Sequence, residues 1–214
     1  MNAKRKSKSS AALGLRAIRG GAVAVAVALE RSAPRVVLSS FLATGTEDDR
    51  LSLEPYHVAA AMKRPPGGGA SAEAVAAVAE GRKRQDKRAA KAIEDVVAKL
   101  KEQEFELTVA ALLVNRAGWI DDLLAYSLAW ADHPPVAEGL AVRDAFRFGL
   151  KRAGIEFAEV DEKSLPDLAS EVLDLKPLAL DARLKSLGET VGKPWRKEQK
   201  LACLAAWVQL AKAP

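Results

Sequence analysis

The sequence predicts an α/β fold: a mixed five-stranded sheet, with three strands in an antiparallel meander and two alternating with helices, flanked by helices. Three observations carry this. Residues 12–42 hold three strand-like runs separated by a Gly-Gly turn and a proline. Downstream, strand-like and helix-like runs alternate. The 214 residues, 49% hydrophobic and 29% charged, are enough for one sizeable core and are not the composition of a disordered chain.

Each element has its own signal. Residues 1–11 carry Lys4, Arg5, Lys6 and Lys8 and read as a disordered basic tail. Arg16 and Arg19 interrupt the apolar run that follows, which argues against a signal peptide. Ala12 to Ile18 is the first strand, and Arg19-Gly20-Gly21 is a turn suited to positive φ. "AVAVAVALE", Ala22 to Glu30, alternates as a second strand; Pro34 punctuates, and Arg35 to Leu42 is the third. "LEPYHVAAAMK", 53–63, reads as one helix with Pro55 in its first turn. "RPPGGGAS" and the residue after it, 64–72, form a flexible loop.

A long helix then runs from Glu73 to Gln103, with Val75, Val78, Ile93, Val96, Val97 and Leu100 at helical spacing and a middle, "RKRQDKR", expected to be wet on most sides. Phe105 to Ala117 is the fourth strand, apolar enough to be buried on both faces. "DDLLAYSLAWA" is helical, and His133-Pro134-Pro135 breaks it. Val136 to Gly154 is an amphipathic helix with a glycine C-cap, Ile155 to Asp161 is the fifth strand, and the remainder is helical. Residues 12–214 thus read as a single domain.

Composition narrows function only broadly. A net charge of +5 permits contact with nucleic acid or an acidic partner and demands neither. The lone cysteine, Cys203, excludes an internal disulfide, fits a reducing cytoplasm, and is expected to be buried and inert. No run reaches the ~20 apolar residues of a membrane span.

Two stretches carry a resemblance. "LGLRAIRGGAVAVAV" resembles the opening hairpin of RuvC-type Holliday-junction resolvases, and "VAEGLAVRDAFRFGLKRAGIEFAEVDEKSLP" resembles the middle of that family. The element order is likewise that of the ribonuclease H-like fold. The resemblance implies carboxylates on the first strand, at the end of the fourth strand and on the final helix, together holding two divalent metals for phosphodiester cleavage. Here Arg16 occupies the first position, Asn115 followed by Arg116 ends the fourth strand, and the final helix, "KEQKLACLAAW", has Glu198 at its start and Lys200 further in. Arg16, Asn115 and Lys200 therefore mark degenerate active-site positions, with no metal and no cofactor expected.

Other constellations are weak. "GETVGK" is one residue short of a phosphate loop, and Pro194 follows it where Ser or Thr is needed. His57 and His133 lack partners at zinc-ligand spacing. Ser39 and Ser40 lack the context of a nucleophile elbow. Asp121, Asp122, Glu138 and Asp144 are the best remaining acids, with the first two read as helix caps. Trp195 and Trp207 read as core or a partner face. Arg82, Lys83, Arg84, Lys87, Arg88 and Lys91 form the clearest binding signal, a positive stripe able to contact phosphates without sequence preference. The alternative is a solvated helix face.

The resulting expectation is a non-catalytic ribonuclease H-like module that binds nucleic acid, through the stripe and the tail, or a protein partner within a larger assembly. The alternatives are a metal-dependent nuclease with displaced acids, and a structural protein that oligomerises through its long helix. A converging trio of carboxylates would favour the former, and an exposed apolar stripe on the long helix the latter.

Overall fold

The computed structural model describes residues 9–115 and 119–213. β1 (Ser9–Ile18), β2 (Gly21–Glu30) and β3 (Ala33–Ala43) form the antiparallel meander, and β4 (Phe105–Val114) and β5 (Phe157–Asp161) extend it on the other side of β1. The strand order is β3-β2-β1-β4-β5, with β4 parallel to both β1 and β5. The helices are α1 (Arg50–Leu53), α2 (Pro55–Ala60), α3 (Ala72–Glu102), α4 (Leu123–Ala129), α5 (Pro134–Arg152), α6 (Leu165–Leu173), α7 (Pro177–Val191) and α8 (Lys197–Lys212). None of them is long and apolar enough to cross a membrane.

The sheet is covered on both faces, and β2 shows why its sequence alternates two apolar residue types. Val23, Val25 and Val27 join a core with α6, α7 and α8, whereas Ala22, Ala24 and Ala26 join another with α3 and α5. Period-two alternation thus separates larger from smaller side chains, not apolar from polar. A smaller cluster of Tyr56, Ala59, Ala74, Val78, Ala137 and Ala141 ties α2 to the first turns of α3 and α5.

Several expectations shift. Ser9 to Ala11, assigned to the tail, belong to β1, where backbone pairing with β2 and β4 fixes them; residues 1–8 lie outside the described set. Pro34 does not interrupt the meander. Arg31 and Ser32, at φ 50° and 67°, make the turn, and Pro34 sits inside β3, an edge strand that tolerates a missing N–H. The single helix expected over 53–63 is two short ones that meet at Glu54, whose φ/ψ of −148°/61° is the non-helical geometry imposed on a residue before proline.

β4 is buried on both faces only from Ala110 to Leu113, because in its first half Phe105 and Leu107 pack against the α3–α5 core while Glu106 and Thr108 are exposed. The strand ends at Val114, before Asn115, and the rest of its expected span, 116–117, lies outside the described set. The middle of α3 is not wet all round: Gly81, Gln85 and Ala89 are buried, and Gln85 Nε2 donates to the Ser52 carbonyl at 2.9 Å. The "GETVGK" glycine, Gly188, is inside α7 and supports the Trp195 indole, so this segment is helix and not a phosphate loop. Cys203 is fully buried, and burial pushes its thiol pKa up to about 12.

Candidate functional site

β1, β4 and β5 run parallel, so their C-terminal ends share one edge of the sheet. Side chains and loops meet there, and crevices at the carboxyl ends of strands are where open α/β sheets place ligands. Arg16 lies near the end of β1. Gly14, two residues earlier, faces α8 so closely that a Cβ there would stand 1.8 Å from the Ala202 carbonyl oxygen. Glu198 is one helical turn before Ala202 and so stands beside Arg16, two residues on from Gly14. From the far side, β5 delivers Glu162, whose N–H donates to the Val114 carbonyl at 2.9 Å and so carries the sheet pairing one residue further.

The Arg16 guanidinium takes both carboxylates. Nε donates to Glu162 Oε1 at 3.0 Å and Nη2 to Glu162 Oε2 at 3.2 Å, a bidentate fork, while Nη1 stands 3.7 Å from Glu198 Oε1. The three side chains retain 21%, 24% and 34% of their exposure, so the cluster faces solvent at the edge of the sheet.

Of the expected degenerate positions, Arg16 is at the centre of the cluster. Asn115 lies at the same strand edge but turns to the other side of the sheet, its Oδ1 accepting from Arg143 Nη2 at 3.1 Å. Lys200 does not take part: its Nζ lies 3.6 Å from Asp181 on α7. Glu162 is not among the positions that the sequence marks. The available signal was an acid immediately after the C-terminal end of a parallel strand.

Three of the acids considered as a displaced metal site serve other purposes, and Asp121, expected to share the capping of α4, is exposed and leaves that role to Asp122. Asp122 caps α4, its Oδ1 accepting from the Leu124 and Ala125 N–H groups at 2.9 Å each. Asp144 is bridged by Arg82, at 2.9 Å, and by Arg147. Glu138 is fully buried, and its Oε1 accepts from the Tyr56 and His57 N–H groups at 2.7 and 3.0 Å, giving the start of α2 the acceptor its own sequence lacks. Burial pushes the Glu138 pKa up to about 8, against those two hydrogen bonds and with help from the nearby Glu54 charge. His57 Nδ1 stands 3.4 Å from Glu138 Oε1 and 4.0 Å from Glu54 Oε2, a neighbourhood that sequence spacing did not show. His133 stacks on Tyr126, with ring centroids 3.8 Å apart. Among the described residues, no group of three or more His, Cys, Asp or Glu side chains could hold a metal ion.

The positive stripe does not form one face. Arg82 turns toward α5 and pairs with Asp144. Arg84 and Arg88 turn the other way and both pair with Asp49, before α1, at 2.9 and 3.1 Å. Lys91 pairs with Asp95 one turn on. Lys83 and Lys87, both exposed and one turn apart, make no ion pair among the described residues and form the crest of the helix. Trp207 is core; Trp195 is half-buried and donates from Nε1 to the Leu184 carbonyl at 2.9 Å.

The fold is that of RuvC resolvases. T. thermophilus RuvC in complex with a Holliday junction substrate matches with a TM-score of 0.53 at 10% identity, over 95% of this chain and 94% of that one. Another Thermus thermophilus RuvC structure matches with a TM-score of 0.50 at 10% identity, over 94% of this chain and 93% of that one. The likeness is one of fold: a mixed five-stranded sheet flanked by helices. No protein-family model and no curated protein sequence matches the chain.

Proposed function

We propose that the chain is a nucleic-acid-binding module on a RuvC-like fold that does not cleave with divalent metals. The Arg16 guanidinium between Glu162 and Glu198 carries this reading. Catalytic metals in such chemistry are held by converging carboxylates. Two converge here, and between them stands a cation that cannot be deprotonated. A divalent ion would have to displace that cation and then sit beside it, against Coulomb repulsion.

Binding is supported by the net charge of +5, by the unpaired crest of Lys83 and Lys87, and by the likeness to a resolvase solved on a Holliday junction. The oligomerising alternative has little support: α3 spends its apolar face on α5, α2 and the sheet, and Val75 is its one large apolar residue left exposed. The displaced-acid nuclease has no converging trio among the described residues.

The test is one protein preparation assayed two ways. Branched and linear DNA and RNA should survive incubation with Mg²⁺ or Mn²⁺. The same substrates should be bound without sequence preference, with affinity falling steeply as salt rises. Metal-dependent cleavage that tracks with the protein through purification would end the non-catalytic reading. Absence of binding at low salt would leave a protein partner as the better account.

A further inference from the structure

On the other side of the sheet edge from Arg16, a cavity of about 600 Å³ opens between α2, α3, α4 and α5. Its polar lining is Arg82, Arg143, Arg147, Asp121, Asp122 and Asp144, with the Tyr56 ring at its wall. The cations and carboxylates are equal in number but not matched. Asp144 is shared by Arg82 and Arg147, Arg147 also holds Glu159, and Asp122 is occupied capping α4. Asp121 is exposed at the mouth.

Arg143 is left over. It is only 6% exposed, and no carboxylate of the described residues forms an ion pair with it. Its Nη2 donates to the neutral Asn115 amide, and its Nε is buried without an acceptor. Burial and the Arg147 charge one turn away push its pKa down, outweighing the opposing pull of the Glu162, Glu159 and Asp144 charges, none of which reaches it as an ion pair. Beside it, the Tyr56 phenol accepts from Arg82 Nη1 at 3.4 Å and keeps its own proton free to donate.

A buried guanidinium with a neutral partner, facing a cavity that also presents a hydroxyl donor, is costly unless something fills it. We propose that this cavity binds a phosphate-type oxyanion, with Arg143 as its charge partner and Tyr56 as a further donor. Arg143 has no carboxylate in ion-pair contact and can take one negative charge directly, while Asp121 and Asp144 in the same lining disfavour a second. The site therefore suits a singly charged phosphate ester better than a phosphate dianion. The source of that ester is either a nucleic-acid strand or a free small phosphate. Only the first of these rests on the nucleic-acid reading above.

Three probes separate the outcomes: inorganic phosphate, dimethyl phosphate and a short single-stranded oligonucleotide, each against chloride at matched ionic strength. The wild-type melting temperature should rise with dimethyl phosphate and less with inorganic phosphate. Arg143→Gln should abolish the rise, while its own melting temperature without anion stays level or increases, because a buried charge with no direct ion-pair partner is gone. Tyr56→Phe keeps the buried ring and should weaken phosphate-ester binding by about tenfold, the value of one hydrogen bond to a charged ligand. If the oligonucleotide binds and Arg143→Gln weakens it by about tenfold or more, a strand supplies the phosphate. If the esters bind and the oligonucleotide does not, the site stands and the nucleic-acid reading falls. If wild type gains no more from either phosphate than from chloride, or if Arg143→Gln and Tyr56→Phe both keep the full effect, the anion site is refuted, whatever the oligonucleotide does.

Discussion

At the scale of residues, Arg16 holds together two carboxylates that would otherwise repel across the sheet edge. Arg16→Ala should leave Glu162 and Glu198 without their cation and cost about 1 kcal/mol, modest because all three side chains keep contact with solvent. The loss should show in chemical denaturation as a lower midpoint with an unchanged slope. Arg16→Asp instead adds a third acid to the two already converging there. That variant should gain stabilisation by Mn²⁺ that wild type lacks; failure to gain any would mean that the carboxylates do not converge as described. Glu138 predicts a pH dependence. Its folded pKa of about 8 lies above the ordinary 4.5, so the folded chain prefers the protonated form. Its contribution to stability is whole below pH 4.5 and is lost as pH rises through 8. The slope approaches about 1.4 kcal/mol per pH unit for one proton. Glu138→Gln should flatten that slope and be more stable than wild type at the alkaline end. An unchanged slope in this variant would assign the dependence to other groups.

At the scale of elements, α8 is the one whose position decides the site, because it brings Glu198 to Arg16. Its approach depends on Gly14, where any Cβ would collide with the Ala202 carbonyl. Gly14→Ala should therefore cost about 3 kcal/mol or more, well beyond a surface substitution, as a lower melting temperature would show. α3 makes the opposite point. Four of its six stripe cations are neutralised by neighbours on two different sides, so only the Lys83 and Lys87 crest remains for phosphates. Replacing both lysines by glutamate should weaken nucleic-acid binding and reduce the salt slope by roughly two, one per lost phosphate contact. Reversing Arg84 and Arg88 should instead injure the α1–α3 contact through Asp49, so that a loss of stability accompanies any loss of binding.

At the scale of the whole molecule, the sheet couples everything that precedes α3 to everything that follows it. β1 is hydrogen-bonded to β2 on one side and to β4 on the other. The exposed stretch from Arg64 to Gly69 connects the two parts and carries two left-handed glycines, Gly68 and Gly69. Limited proteolysis should cut there first. The two fragments should nevertheless elute together under native conditions and separate only in denaturant, because the break lies outside both cores. Early cleavage within α3 would contradict its burial against α5.

The sequence by itself determined the element order, the meander, the alternation of β2 and the burial of Cys203, because these rest on period, turn chemistry and apolar run length, all local properties. It also marked Arg16 as anomalous. Its errors were local too. It let Pro34 break a strand that an edge position tolerates, and it ran one helix through Glu54 despite Pro55. Only the tertiary structure decided which charges meet. Glu162 lies 146 residues from Arg16 and Glu138 lies 82 from Tyr56, and no spacing rule links such pairs. The stripe on α3 likewise looked continuous because a helix places its cations on one line of sequence, whereas Asp49, Asp95 and Asp144 divide them in space. Electrostatic partnership depends on distance through the fold, and that distance is set by how helices pack on the sheet, which in turn rests on close contacts such as the one between Gly14 and Ala202.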